Sequence, residues 1–507
     1  MGMLLKMYQM FAPFLMRTAM LYLMGKEYLG LNSLFYSILH ILNLAELGIG
    51  NAMVFSMYKP IAEDDENKIC ALMSLYRAYY RIIGLVIAVV GLALTPAIPY
   101  LIKDVEQIPG ELNLYVLYWL NLGATVLTYW LFAYKNSLLN AHHRTNVASI
   151  ITMITTTVQY GIQLLIMLWW KNYYAHLIVA LATQALNNVV TAVVTTKLYP
   201  QYKPRGKLSK PETKGINQKI RDLFTGKIGS VIMNSADSVI ISAFLGLSMV
   251  TIYQNYYFIM SAVIGFLESI LQSVMAGLGN SYITETKEKN YKNLENATFL
   301  FTWLIGVCSC CFLGMYQPFM ELWTGKDMML PFGVVICFVV YFFAYTMNRL
   351  LNVFKDAAGL WRIDRFRPLT KAVLNLGLNL LLVRWIGLYG VLLSTVFAIV
   401  VVGMPWLLHN LFTHCFEKRY LKKYILQLVR YVLLTVAAAT LVWLICLPIG
   451  GNLWLVLVLR ALVSAIVPNI LFLLVLRKSE QFKPAVELVD RLTKKKLKLE
   501  KRLFRNC

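Results

Sequence analysis

Three carboxylates fall inside long apolar runs of this sequence: Glu46, Asp237 and Glu268. Asp237 is the plainest case. It lies near the middle of "GSVIMNSADSVIISAFLGL" (229–247), with Asn234 one turn before it. A charged side chain at membrane depth costs several kcal/mol unless it meets water or a partner. Groups kept there suit two kinds of chemistry. A carboxylate binds and releases H+ or Na+, and its neutralisation biases one arrangement of the surrounding helices over another. An arginine, here Arg17 in the first apolar run, grips phosphate oxygens through paired charge-assisted hydrogen bonds.

These groups belong to polar stripes. Asn32, Tyr36, His40, Asn43, Glu46 and Gly50 recur every three or four residues, as do Gln254, Tyr257, Ser261, Gly265, Glu268 and Gln272. At 3.6 residues per turn each set forms one helix face. Ser230, Asn234 and Asp237 make a shorter stripe, and Tyr341, Tyr345, Asn348, Asn352 and Lys355 another. Such faces cannot meet lipid, where polar groups go unsatisfied. They glue helices together or line a water-filled cavity. The cavity-lining candidates are Arg17, Asn43, Glu46, Asn234, Asp237, Glu268, Gln272, Asn348 and Asn352. Lys135 and Lys355 stand at the basic rim, placed either to capture an anion or to snorkel.

The elements that must position them are membrane helices. Of 507 residues 59% are hydrophobic and only 14% charged, which sets the chain apart from soluble domains. Apolar runs of about 20 residues predict some fourteen spans in an all-α integral membrane protein. With the N-terminus cytoplasmic, the outside loops hold only Lys26, Lys103, Lys171, Lys326 and Arg384 of the 48 basic residues. That asymmetry places both termini inside. It also accounts for the net charge of +23 without nucleic acid. The Pro-containing basic stretch 197–227 reads as a surface linker, and the basic tail after Leu476 as an interfacial amphipathic helix carrying Phe482, Val486, Val489, Leu492, Leu499 and Leu503.

Other chemistries lack their residues. No phosphate-binding glycine loop, HExxH or GxSxG is present, so no catalytic residue is assigned. "CSCC" (308–311) sits in an apolar run without nearby His or carboxylate. It reads as small residues packing between helices, and no metal site is expected.

Glu46 and Glu268, Gly84 and Gly306, and Pro96 and Pro318 are each 222 positions apart, which suggests two copies of one bundle. The stretches "RTAMLYLMGKEYLGLNSLFYSILHILNLAELGIGNAMVFSMYKPIAEDD" (17–65), "GKIGSVIMNSADSVIISAFLGLSMVTIYQNYY" (226–257) and "NVFKDAAGLWRIDRFRPLTKAVLNLGLNLLLVRWIGLYGV" (352–391) carry a resemblance. They are similar to bacterial polysaccharide flippases of the multidrug, oligosaccharidyl-lipid and polysaccharide exporter superfamily. The resemblance implies two pseudo-symmetric six-helix lobes around a central cavity plus two extra helices. The expected division is 1–196 for the first lobe, 197–227 for the linker, 228–412 for the second lobe, 413–476 for the extra helices and 477–507 for the tail. It also implies a bacterial cytoplasmic membrane protein that moves undecaprenyl-diphosphate-linked oligosaccharide to the outer leaflet by alternating access. Polymerase or glycosyltransferase partners would stand nearby, and no cofactor beyond a coupling H+ or Na+ is needed. Arg17 then meets the diphosphate, and Glu46, Asp237 and Glu268 serve ion coupling. The alternatives are a drug or organic-cation exporter of the same superfamily and a membrane glycan synthase or ligase.

Overall fold

The computed structural model describes residues 2–492 apart from Leu47 and Asp104. Leu499 and Leu503 of the expected tail stripe lie outside the described residues, as do the side chains of Val489 and Leu492. Among the described residues the chain is helical with no strand. The first part runs through α1 (Gly2–Leu23), α2 (Lys26–Leu42), α3 (Ile49–Ala62), α4 (Glu66–Leu94), α5 (Leu114–Trp130), α6 (Asn136–Ala141), α7 (Thr145–Trp169) and α8 (Tyr173–Leu198). Three long helices follow, α9 (Lys210–Leu245), α10 (Leu247–Thr284) and α11 (Lys287–Thr324). Then come α12 (Phe332–Ala357), α13 (Trp361–Asp364), α14 (Arg367–Ile386), α15 (Leu388–Phe397) and α16 (Met404–His414). The last are α17 (Leu421–Cys446), α18 (Leu453–Leu476) and α19 (Phe482–Leu492). Eleven helical segments are long and apolar enough to cross a membrane, or twelve when α5 and α6, bent by 48°, count as one span. The two others of the fourteen expected are α1, whose described part Phe11–Leu23 is apolar, and the second, which is broken.

That break corrects the expected continuous helix over 32–57. α2 ends at Leu42, a 3₁₀ turn covers Asn43–Glu46, and α3 starts after Gly48. Gly48 has φ +92°, and a Cβ there would lie 2.8 Å from Leu223 Cβ. Only glycine takes that left-handed turn without strain while letting α9 approach so closely. The stripe from Asn32 to Gly50 is therefore not one face, because the axis turns between His40 and Glu46.

The chain forms two compact units. One is Met1–Gln254 with Asn379–Gly387, the other Asn255–Leu378 with Leu388–Cys507. In the first, α2 and α3 pack on α9, with Leu31, Leu34, Phe35, Met53, Met57 and Met73 buried. The sequence expectation opened the second lobe at 228, but α9 belongs to the first unit. The reason lies in packing: α2 and α3 press on α9, which the missing side chain of Gly48 lets approach at Leu223. The expected surface linker is also shorter. Ser209 forms a capping box with Glu212, so α9 begins at Lys210, and 20 of the expected linker residues are helical, 197–198 in α8 and 210–227 in α9. Residues 199–205 dock on the first unit. Tyr199 and Tyr202 stack with His142 at ring separations of 4.3 and 5.8 Å, and the Arg205 amide donates to the Cys70 carbonyl.

In the second unit α11 is central, packing on α12, α17 and α18. Cys310 is buried among Ala438, Val442, Cys446 and Phe472, as small residues between helices should be. Gly306 and Gly314 continue that seam at four-residue spacing; a Cβ on Gly314 would lie 2.2 Å from Ser464 Oγ. The face of α19 expected to rest in lipid instead buries Phe482, Ala485 and Val486 against Phe299 and Tyr431.

Candidate functional site

In the first unit the broken second span aims Glu46 at three tyrosines. Tyr80 donates to Oε1 at 2.5 Å and Tyr129 to Oε2 at 2.7 Å. Tyr129 also lies 3.1 Å from Asn43 Oδ1, and Tyr76 donates to Tyr80 at 2.9 Å. The carboxylate is thus held by neutral donors, an arrangement that spreads its charge without an ion pair. His40 turns elsewhere, to Ser235 Oγ at 2.9 Å.

Asp237 lies on the buried face of α9 and is only 7% exposed. Asn379 Nδ2 donates to Oδ1 at 2.8 Å and the Tyr253 hydroxyl to Oδ2 at 3.4 Å. Each oxygen therefore has one neutral donor, and the site is rich in oxygen acceptors. Gln254, one residue after Tyr253, bonds Ser238 at 2.6 Å. The Asn234 side chain lies outside the described residues. Arg17 reaches the Thr251 carbonyl at 3.4 Å. Lys135 donates to Thr196 at 2.6 Å.

In the second unit Glu268 pairs with Arg349, Oε1 lying 2.6 Å from Nε, both side chains about one-third exposed. The Nε hydrogen is not aimed at the oxygen, so the contact is an ion pair rather than an aligned hydrogen bond. Gln272, one turn on, is exposed. Glu46 and Glu268, equivalent by spacing, thus differ in setting: one ends a 3₁₀ turn among tyrosines, the other sits mid-helix against arginine.

The densest polar cluster was not among the sequence candidates. Asp364, 2% exposed, accepts from Arg367 Nε and Nη2, both at 2.7 Å. Asn410 adds a bond at 3.2 Å and Lys355 an ion pair at 3.4 Å. Arg367 also donates to Asn352 Oδ1 at 2.7 Å. Of the sequence candidates the structure brings Asn352 and Lys355 together here, so Lys355 is a buried member of a network and not a free rim cation. The signal in the sequence was "RIDRFRP" (362–368), which sets four charged residues within seven. One residue in it, Arg367, starts a face continued by Lys371, Asn375 and Asn379, every fourth position of α14, and all four are buried. Among the described residues no group of three His, Cys, Asp or Glu side chains is arranged to hold a metal.

Comparison with known proteins places this geometry. Residues 2–276 match the model of the family described as "Polysaccharide biosynthesis protein". No curated protein matches significantly. Solved structures share the fold. An inward-facing multidrug resistance MATE family transporter of the MOP superfamily superposes with a TM-score of 0.62 at 15% identity, covering 83% of this chain and 96% of the other. An outward-facing MATE transporter gives 0.51 at 14% identity, over 80% of this chain and 92% of that one. A MOP superfamily transporter from Pyrococcus furiosus, described as having a binding pocket of reversed polarity, gives 0.51 at 14%, covering 83% and 95%. The matched family and the many apolar spans agree: this multi-pass membrane protein belongs to the polysaccharide biosynthesis protein family and has the fold of MOP superfamily transporters.

Proposed function

We propose that the protein is a flippase that carries a polyprenyl-diphosphate-linked oligosaccharide from the cytoplasmic to the outer leaflet of a bacterial cytoplasmic membrane, for capsule, O-antigen, teichoic acid or exopolysaccharide assembly. The family supports a role in polysaccharide assembly, and the fold is that of transporters. The observation that carries the reading is the presence of cations inside apolar segments, Arg17 and Lys371, whereas Arg349 and Arg367 are held by Glu268 and Asp364. A sugar diphosphate is large, polar and anionic, and cannot enter hydrocarbon unaided. Guanidinium and ammonium groups at membrane depth supply the missing attraction. Asp237 and Glu46, held by neutral donors only, serve as coupling carboxylates for H+ or Na+. Neutralising one of them changes which helix arrangement is favoured. The second reading, export of organic cations, needs unmatched carboxylates. Glu46 and Asp237 favour it, but Glu268 and Asp364 are already matched by arginine.

The test follows the cargo. In a deletion strain, lipid-linked oligosaccharide should accumulate out of reach of an impermeant glycosidase added outside. Arg17→Ala, Glu46→Gln and Asp237→Asn should each lower outside-accessible product at normal protein levels. Normal export by all three refutes the site, and drug sensitivity without glycan loss refutes the cargo.

A further inference from the structure

A cavity of about 300 Å³ opens in the second unit. It lies where the first turns of α11, the 3₁₀ turn Lys418–Tyr420 with the start of α17, and the start of α19 meet. Its depth follows from the spans. α11 has 38 residues and rises about 57 Å, well beyond a hydrocarbon core of about 30 Å. Its polar first turns therefore stand outside that core. The apolar runs nearby start at Ala297 and Ile425 and stop at Leu476. Glu295, Lys423 and Glu480, which all line the cavity, lie within four positions of those limits. That is the depth of lipid headgroups.

The floor is a buried carboxylate. The Glu295 side chain is 6% exposed. The Tyr291 hydroxyl donates to Oε1 at 2.9 Å, and Lys423 Nζ lies 3.2 Å from the same oxygen. Tyr420 stacks on Tyr291, the rings 4.4 Å apart and 8° from parallel, which fixes the donor. Among the described residues no hydrogen bond reaches Oε2. That oxygen is not sealed in protein, so it keeps access to the cavity that Glu295 lines. Lys423 is 58% exposed and only loosely held. A carboxylate this deep still has room for a further donor.

The other charges on the wall decide what that donor belongs to. Lys292 pairs with Glu288 at 3.2 Å, and among the described residues Glu480 has no ion pair. The lining holds three carboxylates and two lysines. A purely anionic headgroup would meet the excess of carboxylate. A plain cation would leave both lysines competing with it for the same oxygens. A molecule with an ammonium at its tip and a phosphate behind it completes the set. The ammonium takes Glu295 Oε2 and Glu480, and the phosphate draws Lys423 and Lys292. A trimethylated ammonium has no N–H to donate. We infer that this cavity is a headgroup site for phosphatidylethanolamine, with the ammonium inward on Glu295 and the phosphate at the lysines. The site stands apart from the flippase reading and holds whatever the cargo is.

The experiment is native mass spectrometry of the delipidated full chain in detergent. The probes are dioctanoyl phosphatidylethanolamine, phosphatidylcholine and phosphatidylglycerol, with soluble O-phosphoethanolamine as a fourth. The wild type should bind one phosphatidylethanolamine about tenfold more tightly than either other lipid, as expected for one added charge-assisted bond. Glu295→Gln keeps an acceptor for Tyr291 and should bring phosphatidylethanolamine down to the level of phosphatidylcholine, leaving the other two lipids unchanged. Glu480→Gln, at an exposed position, should weaken phosphatidylethanolamine severalfold without touching the fold. Equal affinity of the wild type for the three lipids overturns the inference. So does a preference for phosphatidylethanolamine that survives both substitutions. Tighter binding of phosphatidylglycerol overturns it too and assigns the lysines to anionic lipid. O-phosphoethanolamine bound as tightly as the lipid overturns it in favour of a soluble ligand.

Discussion

Replacing Arg367 by alanine gives a sharp test of how this protein tolerates charge inside its helices. Arg367 and Asp364 are 3% and 2% exposed, and two bonds of 2.7 Å join them. Removing one partner of such a pair strands the other, at a cost of about 3–5 kcal/mol. Asn410 at 3.2 Å and Lys355 at 3.4 Å still reach Asp364, so the lower end, about 3 kcal/mol, is expected. That is roughly a hundredfold change in the unfolding equilibrium. Arg349→Ala supplies the contrast. Its pair with Glu268 has nearly the same separation, 2.6 Å, but side-chain exposures of 33% and 32%. Solvent screening limits such pairs to under about 1 kcal/mol. The double variant Arg367→Met with Asp364→Leu should recover part of the loss, held back by the partners it leaves on Asn352, Asn410 and Lys355. The assay is reversible unfolding in mixed detergent micelles, with tryptophan fluorescence as readout. If Arg367→Ala and Arg349→Ala lose equal stability, burial does not govern these pairs and the reasoning fails.

Two further outcomes follow from particular contacts. Gly314→Ala puts a Cβ 2.2 Å from Ser464 Oγ and should loosen α18 from α11 at a cost of about 1–3 kcal/mol. Ser464→Ala in the same chain should restore much of that; no rescue in a cysteine-crosslinking assay between the two helices would count against the seam. The docked segment 199–205 should be acid-sensitive. Burial first, and then Arg144 and His143, hold the His142 imidazole below its ordinary value of 6.5. The undocked state therefore binds the extra proton, so docking is full above about pH 6.5 and weakens below it. Hydrogen exchange at the Arg205 amide, corrected for intrinsic rate, should quicken as pH falls below about 6.5. His142→Phe should remove that dependence, and an unchanged profile would refute the role of the imidazole.

How much of this could be read beforehand differs from residue to residue. The spans, the excess of basic loops and the odd carboxylates needed only composition and period, because lipid imposes one solution, the helix, on any long apolar run. Cys310 of the 308–311 run packs between helices, as a small residue in an apolar stretch is expected to. The stripe through Asn32, His40 and Glu46 read wrongly, because a regular spacing assumes a straight axis. The turn at Gly48 leaves room for α9 at Leu223, 175 positions away, where any side chain would collide. Asp364 and Arg367 were not singled out, since nothing local shows that Asn352, Lys355 and Asn410 surround them.

The sequence by itself determined that this chain is a multi-pass membrane protein and which ionisable residues lie within its apolar segments. These follow from transfer free energies, which sum along the chain with little reference to neighbours. Only the tertiary structure decided which charges are matched and which are left open. Glu268 and Asp364 found arginines, Asp237 found an asparagine and a tyrosine, and Lys371 found no carboxylate among the described residues. Pairing depends on distances of a few ångströms between helices remote in sequence, and those distances are set by where glycines let backbones approach.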